Sequence, residues 1–290
     1  SIAGGNYARD THYGQGNWSG QVSTTYHLNP NLMLFASVAD GYKAGGINLG
    51  TVGSDGTPTF KPETALDFEL GLKSEFWHHR GIFNVTDDEP APPQDPDSLV
   101  MQATLDRTTR QCFQTAQGLR VVGKVRLRGG EIESRLVVVK GLLLRGGVAY
   151  NQAITTEFTG APSAETKSNT ANLSGQRLYN APLWTATAGI EYGLRLHNGL
   201  KPYAGADYSF RSGYYGTVEH GPGSYVSAYA LANFRVGLSS RNNLWDVSLW
   251  VRNAFDTQYL TAIYPIYGVG DYGAVPGDPR TYGATLRLNF

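Results

Sequence analysis

Ala65-Leu66-Asp67-Phe68-Glu69-Leu70-Gly71-Leu72-Lys73-Ser74-Glu75-Phe76 alternates with a period of two. Leu66, Phe68, Leu70, Leu72 and Phe76 fall on one side, and Asp67, Glu69, Gly71, Lys73 and Glu75 on the other. Successive side chains of a strand point to opposite faces, so the stretch reads as a strand with one apolar and one charged face. The same rhythm returns along the chain. Trp184, Ala186, Ala188, Ile190, Tyr192 and Leu194 alternate with Thr185, Thr187, Gly189, Glu191 and Gly193. Ala230, Ala232, Phe234, Val236 and Leu238 alternate with Leu231, Asn233, Arg235 and Gly237; Trp245, Val247, Leu249 and Val251 alternate with Asp246, Ser248, Trp250 and Arg252.

About eleven such segments are present, each near the ~9–11 residues that a tilted membrane-spanning strand needs. They lie near 17–27, 31–43, 63–76, 81–103, 124–139, 141–153, 183–196, 199–211, 226–239, 244–258 and 279–290. Their connections alternate in length. Short turns fall at Asn29-Pro30-Asn31, His78-His79-Arg80, Lys140-Gly141, His197-Asn198-Gly199 and Arg241-Asn242-Asn243; Asn198-Gly199 reads as a two-residue turn with positive φ at both positions. Long connections run from Ala44 to Pro62, Ala153 to Pro182, Ser212 to Tyr225 and Leu260 to Asp278. Short turns at one end and long loops at the other are the signature of a transmembrane barrel, with turns periplasmic and loops extracellular. Counted back from the end, the last strand runs towards the short-turn side, and so does the first. Aromatic residues gather near both ends, as at a membrane interface: Tyr26, Phe76, Trp77 and Trp245 beside the turns, Tyr150, Phe210 and Tyr259 beside the loops.

The bulk composition agrees. Gly (36) and Tyr (18) are abundant, Met (2) and Cys (1) scarce, and charged residues make up 17%, against about 25% for an ordinary soluble domain. No apolar run approaches the ~18 residues of a membrane helix. A mean hydropathy of −0.30 looks soluble, but a barrel alternates lipid-facing with lumen-facing residues and averages to an unremarkable value. A soluble β-sandwich or propeller would also alternate, yet no repeat of constant period appears. Zero net charge gives no basic surface for nucleic acid. Cys112 alone makes neither a disulfide nor a zinc site. Ser1-Ile2-Ala3-Gly4-Gly5 carries no basic segment and no apolar core of a leader, so the expectation is a processed or internal start.

Several segments resemble the C-terminal half of the barrel of a TonB-dependent outer-membrane receptor. They are Phe35–Gly46 with its Gly41-Tyr42-Lys43-Ala44-Gly45-Gly46 ending, Lys61-Pro62-Glu63 followed by Glu69–Ser74, and Arg128-Gly129-Gly130-Glu131-Ile132-Glu133. Asn253-Ala254-Phe255-Asp256-x-x-Tyr259 and Pro279-Arg280-Thr281-Tyr282-Gly283 complete the set. Their order and spacing cover roughly 17–80 and 123–290. The resemblance implies a 22-stranded barrel filled by an N-terminal plug, uptake of scarce nutrients such as ferric siderophores, haem, cobalamin or glycans, and energisation by TonB. Neither a plug nor a TonB box is visible in residues 1–290. About eleven strands is half that barrel, and an odd number with two unpaired edges in lipid is prohibitive. The expected fold is therefore all-β, a transmembrane antiparallel β-barrel of which residues 1–290 form the C-terminal part. The expected partners are outer-membrane lipid, the barrel-assembly machinery, an N-terminal barrel half and plug on the same or a separate chain, TonB through that plug, and a small-molecule ligand. Thr86–Val122 departs from the family. With Pro90, Pro92, Pro93 and Pro96 it cannot pair in a ladder, so it reads as a divergent extracellular insertion or a stretch altered by a shifted reading frame.

Gly268-Val269-Gly270-Asp271-Tyr272-Gly273 matches a dinucleotide-binding string, but no helix follows it, so it reads as a glycine-rich loop and no cofactor is expected. The His residues are scattered and the acidic run Asp87, Asp88, Glu89, Asp95, Asp97 lacks calcium-loop spacing, so no metal is expected. No nucleophile motif appears. Glu69, Glu75, Glu131, Glu133, Glu191 and Asp67 face the lumen, where Lys73, Arg128, Arg135 and Arg145 are their expected cross-strand partners; no catalytic residue is expected. Ligand-binding candidates are loop residues with a flat apolar face and a polar tip: Tyr214, Tyr215 and Tyr225 with His220 in one loop, Tyr264, Tyr267 and Tyr272 in the last; the alternative is an aromatic belt at the outer lipid interface, with His220 simply solvated. In the final strand, Tyr282, Ala284, Leu286, Leu288 and Phe290 are expected to face lipid and to resemble the signal read during barrel assembly, so that deleting Phe290 impairs assembly. The expected function is TonB-dependent nutrient import at the outer membrane; the rivals are a passive porin-like channel and a structural outer-membrane barrel.

Overall fold

The computed structural model describes residues 12–47, 59–76, 81–84, 100–115, 118–161, 171–266 and 271–289. They build one large antiparallel sheet and three two-stranded ones in the long connections. The strands of the large sheet are β1 (Gly20–Asn29), β2 (Leu32–Lys43), β3 (Glu63–Phe76), β4 (Gly81–Asn84), β5 (Val100–Thr115), β6 (Gly118–Val139), β7 (Leu142–Ala161), β8 (Trp184–Gly193), β9 (Lys201–Arg211), β10 (Tyr229–Ser239), β11 (Trp245–Arg252) and β12 (Thr281–Leu288). The short strand Ala171–Asn172 adds to the end of β7, which makes the sheet 13-stranded. The strands pair in sequence order, as in a meander, except that β4 and β5 both pair with β3 and β6; β1 and β12 are the outer edges.

The expected faces are those observed. Along β2 and β3, Leu34 stands opposite Leu72, Ala36 opposite Leu70 and Val38 opposite Phe68, while Ser37 meets Glu69 and Lys43 meets Glu63. From β8 to β12 the apolar positions continue in register: Ile190–Ala206–Phe234–Val251–Tyr282. That face is bare, with Phe68, Ile190, Phe234, Val236, Leu249, Leu286 and Leu288 all exposed. The two packed apolar clusters among the described residues lie instead in the long connections. A sheet this apolar, with nothing packed on it, matches a wall whose greasy face meets lipid rather than water. No helix in the described residues is long and apolar enough to cross a membrane, a test that does not bear on strands.

The turns show one shared solution. Gly141, Gly199 and Asn243 have φ of +90°, +85° and +59°. Gly199 donates to Leu196 O (2.9 Å), and Asn243 to Ser240 O (3.1 Å). Asn198 does not have positive φ. The Asn-Gly turn is therefore not the expected two-residue form but a type I turn closed by one left-handed residue, which Gly and Asn adopt most cheaply. The abundant Gly and Tyr meet elsewhere. Tyr203 lies flat across β10 where a Cβ at Gly237 would overlap its ring, and Trp250 lies across β12, 2.5 Å from where a Gly283 Cβ would stand. Glycine in a strand interior makes room for such a crossing, and the ring restores the packing that glycine lacks.

Thr86–Val122 is not wholly a loop. Pro90–Pro96 lie outside the described residues, but Val100–Thr115 and Gly118 onwards are ladder-paired. The register is informative. Asn84 stands opposite Lys73 of β3 and Glu133 of β6, and Met101 stands opposite Leu72 and Ile132, the next positions on both neighbours. β4 and β5 thus occupy one place in the wall and run the same way. They are a single spanning strand into which residues 85–100 are inserted. The segment expected near 81–103 is thus found as two pieces, Gly81–Asn84 and Val100–Thr115, and β6 and β7, of 22 and 20 residues, run well past the ~9–11 needed to span.

Candidate ligand-binding loops

The polar face of the wall pairs its charges across strands. Arg145 reaches Asp207 (3.8 Å) and Glu191 (4.0 Å), and Arg235 bonds Glu191. Tyr203 donates to Asp246 (3.0 Å), Trp250 Nε1 to Thr285 Oγ1 (3.2 Å), and Ser37 to Glu69 (2.9 Å). These groups are part-exposed, where an ion pair contributes about 0–1 kcal/mol. Their role is to neutralise the wall. The paired Glu191 is a bridging group with a guanidinium on either side, unlike a poised acid or base. Among the described residues no group of His, Cys, Asp or Glu has the arrangement of a metal site.

Above this wall the long connections fold into packed bodies. The turn after β7 closes back on it: Thr155 N donates to Gln176 O (2.9 Å) and Leu178 N to Ala153 O (2.9 Å). Phe158 and Ala161 are buried there against Leu173, Leu178 and Tyr179, and against Val218 from the next loop. That next loop is a small hairpin, Tyr214–Tyr215 against Tyr225–Val226. The last connection is a longer hairpin, Leu260–Ile266 against Asp271–Pro276. Its Ile263 packs on Tyr214 and Val226, flanked by Tyr229, Leu260 and Tyr272. The loop 212–228 therefore contributes to both apolar clusters and joins its two neighbours.

The structure sorts the candidate tyrosines. Tyr214 is 3% exposed and forms the loop core. Tyr215 stacks on His220 with centroids 4.3 Å apart and meets Tyr225 edge-on. Tyr272 packs over Gly223, and burial, with Glu219 nearby, raises its phenol pKa. Tyr225 and Tyr264 are 49% and 52% exposed. Tyr267 lies outside the described residues, as does Phe290 at the chain end. Tyr282, Ala284, Leu286 and Leu288 share the apolar face of β12, opposite Val251, Leu249, Val247 and Trp245.

One functional element was missed as such in the sequence. Asn253, 5% exposed and at φ +45°, ties the two ends of the last loop together. Its Nδ2 donates to Thr257 O (2.9 Å) and Asp278 O (3.0 Å), and its Oδ1 accepts from Thr257 N (2.9 Å). Asp256 accepts from Arg280 N (2.8 Å), and Tyr259 lies over Gly277 and stacks on Tyr229. The Asn-x-Phe-Asp-x-x-Tyr and Pro-Arg motifs are thus two sides of one clasp. Only their separate presence signalled it.

A sequence model of the TonB dependent receptor-like β-barrel matches residues 2–254. The chain belongs to the TonB-dependent receptor family. Solved receptors share its fold. The ferric yersiniabactin uptake receptor from Yersinia pestis superposes with a TM-score of 0.73 at 20% identity, covering 94% of this chain and 37% of that one. The ferric-catecholate import receptor from E. coli K12 gives 0.63 at 22% identity, over 94% and 35%. The siderophore receptor from Acinetobacter baumannii gives 0.63 at 18%, over 92% and 35%. This TonB-dependent receptor chain thus spans little more than a third of each, and among the described residues its wall is an open sheet. The family is one of transport receptors rather than enzymes.

Proposed function

We propose that this chain is part of an outer-membrane receptor that captures a ferric siderophore at its long loops and passes it inward in a TonB-dependent step. The carrying observation is the loop assembly: three connections packed into one body at one end of a charge-paired wall, with the rings of Tyr225 and Tyr264 left bare. Flat aromatic faces with a polar tip suit recognition of a metal chelate in water. The siderophore receptors that share the fold support this ligand class. The edges support the view of a part. β1 and β12 both run towards the short-turn end and have no outer neighbour among the described residues. Unpaired edges are not tolerated in lipid, and two copies of this chain would meet edge to edge in parallel. The complement is then an odd number of strands whose outer members run outward, supplied by an N-terminal barrel half. A plug inside that half would carry the contact to TonB, outer-membrane lipid would cover the apolar face, and the barrel-assembly machinery would read β12 with Phe290.

The test is binding of ferric catecholate, hydroxamate and mixed-ligand siderophores to outer membranes containing the protein, with Tyr225→Ala and Tyr264→Ala beside the wild type. One siderophore class should bind, and each substitution should raise its Kd about tenfold, near 1.4 kcal/mol. Absence of binding to any class, together with ion conductance by the purified protein, would replace this reading with a passive channel.

A further inference from the structure

We propose that His220 is an acid-released latch between two extracellular loops: uncharged, it holds the loop 212–228 against the turn that follows β7; protonated, it lets that seam open. The seam is built from both sides. Asn180 N donates to Tyr215 O (2.7 Å), the one backbone hydrogen bond between these loops among the described residues outside the regular ladders. Val218 inserts beside Phe158 and Leu173. His220 stands between, its ring stacked on Tyr215 at 4.3 Å with planes only 9° apart. Together with Arg177, Gln176 and Val218 it lines a cavity no larger than a water-sized molecule, so this is a packed seam rather than a ligand pocket.

Two features make the ring a poor host for a second proton. Among the described residues its buried Nδ1 has no hydrogen-bond partner, so a proton placed there meets no acceptor from them. The neighbouring loop presents Arg177, whose guanidinium is already committed to Ala181 O (3.0 Å). The acidic neighbour Glu219 raises the pKa of the Tyr272 phenol of the last loop. Tyr215 and Tyr179 also stand at the seam. Burial first, and Arg177 second, hold the imidazole below its ordinary 6.5. A base held below its unfolded value favours the closed seam fully at pH above 6.5, and that contribution is lost as pH falls through the lowered value. Backbone adds to the poise: His220 sits at φ +52°, a left-handed conformation a non-glycine residue keeps only when its surroundings hold it there.

The experiment is a pulsed electron-spin distance measurement in outer membranes of cells producing the protein, with spin labels at the exposed Thr159, at the end of β7 where the turn pairs with it, and Ser227, in the loop 212–228. It does not depend on the ligand, so its outcome is separate from that of the binding test. At about pH 7.5 one narrow distance is expected; at about pH 4.5 most of that population should be replaced by longer, broader distances. His220→Asn cannot be protonated and tolerates positive φ, and should stay narrow at both pH values. Arg177→Gln removes the repulsion and should need a lower pH to open. Identical distributions at the two pH values in the wild type would overturn the proposal. So would an acid-induced broadening that persists unchanged in His220→Asn, or a His220→Asn distribution already broad at neutral pH, which would make the ring's shape the fastener and not its charge.

Discussion

Replacing Asn253 tests whether one side chain fastens the last long loop. Asn253→Ala removes three hydrogen bonds, two donated to Thr257 O and Asp278 O and one accepted from Thr257 N. At a site only 5% exposed, water does not readily replace them, so each lost bond costs about 1 kcal/mol or more. Alanine must also hold φ near +45°, which adds roughly 1 kcal/mol. The sum is about 4 kcal/mol for Ala and about 3 kcal/mol for Asn253→Gly, which keeps the dihedral and loses only the bonds. Local opening of this size is read by amide hydrogen exchange. Protection at Thr257 and Gly277, whose N–H groups bond Asn253 Oδ1 and Tyr259 O, should fall by about a hundredfold or more at roughly 1.4 kcal/mol per decade. Amides of β1 and β2, at the opposite edge of the sheet, should not change. Equal protection in wild type and Asn253→Ala would refute the clasp. A Gly variant as damaged as, or more damaged than, the Ala variant would refute the share assigned to the dihedral.

Deleting residues 85–100 should leave the wall intact, because Asn84 and Met101 already face consecutive positions on both neighbours. The spliced protein should reach the outer membrane at least as abundantly as the wild type, judged by heat-modifiable migration in gels; loss of the folded band would show that the insertion belongs to the strand. Gly283→Val places a branched side chain where Trp250 lies, 2.5 Å from the first added carbon. Overpacking of this kind costs about 1–3 kcal/mol, so the folded band should weaken, and Gly283→Val combined with Trp250→Ala should recover part of it. A double variant no better than the single would point away from a clash with this ring.

The sequence by itself settled the wall. A strand exposes alternate residues to opposite faces through its own backbone geometry, so the period-two order of Leu66, Phe68, Leu70 and Leu72 against Asp67, Glu69 and Lys73 determined both the element and its two sides. The alternation of short turns with long loops then determined the direction of each strand. What is local in the chain was legible there. The tertiary structure decided everything that depends on residues distant in sequence. Tyr214 and Tyr225 are the same residue type in paired strands of one hairpin, yet one is buried and the other bare, because Ile263 of the next loop closes on one side only. Asn253 was visible as part of a motif, but its work is done at Asp278, 25 residues away. The ladder's passage from Asn84 to Met101 is a matter of register. Register is set by the two flanking strands, which no single segment contains.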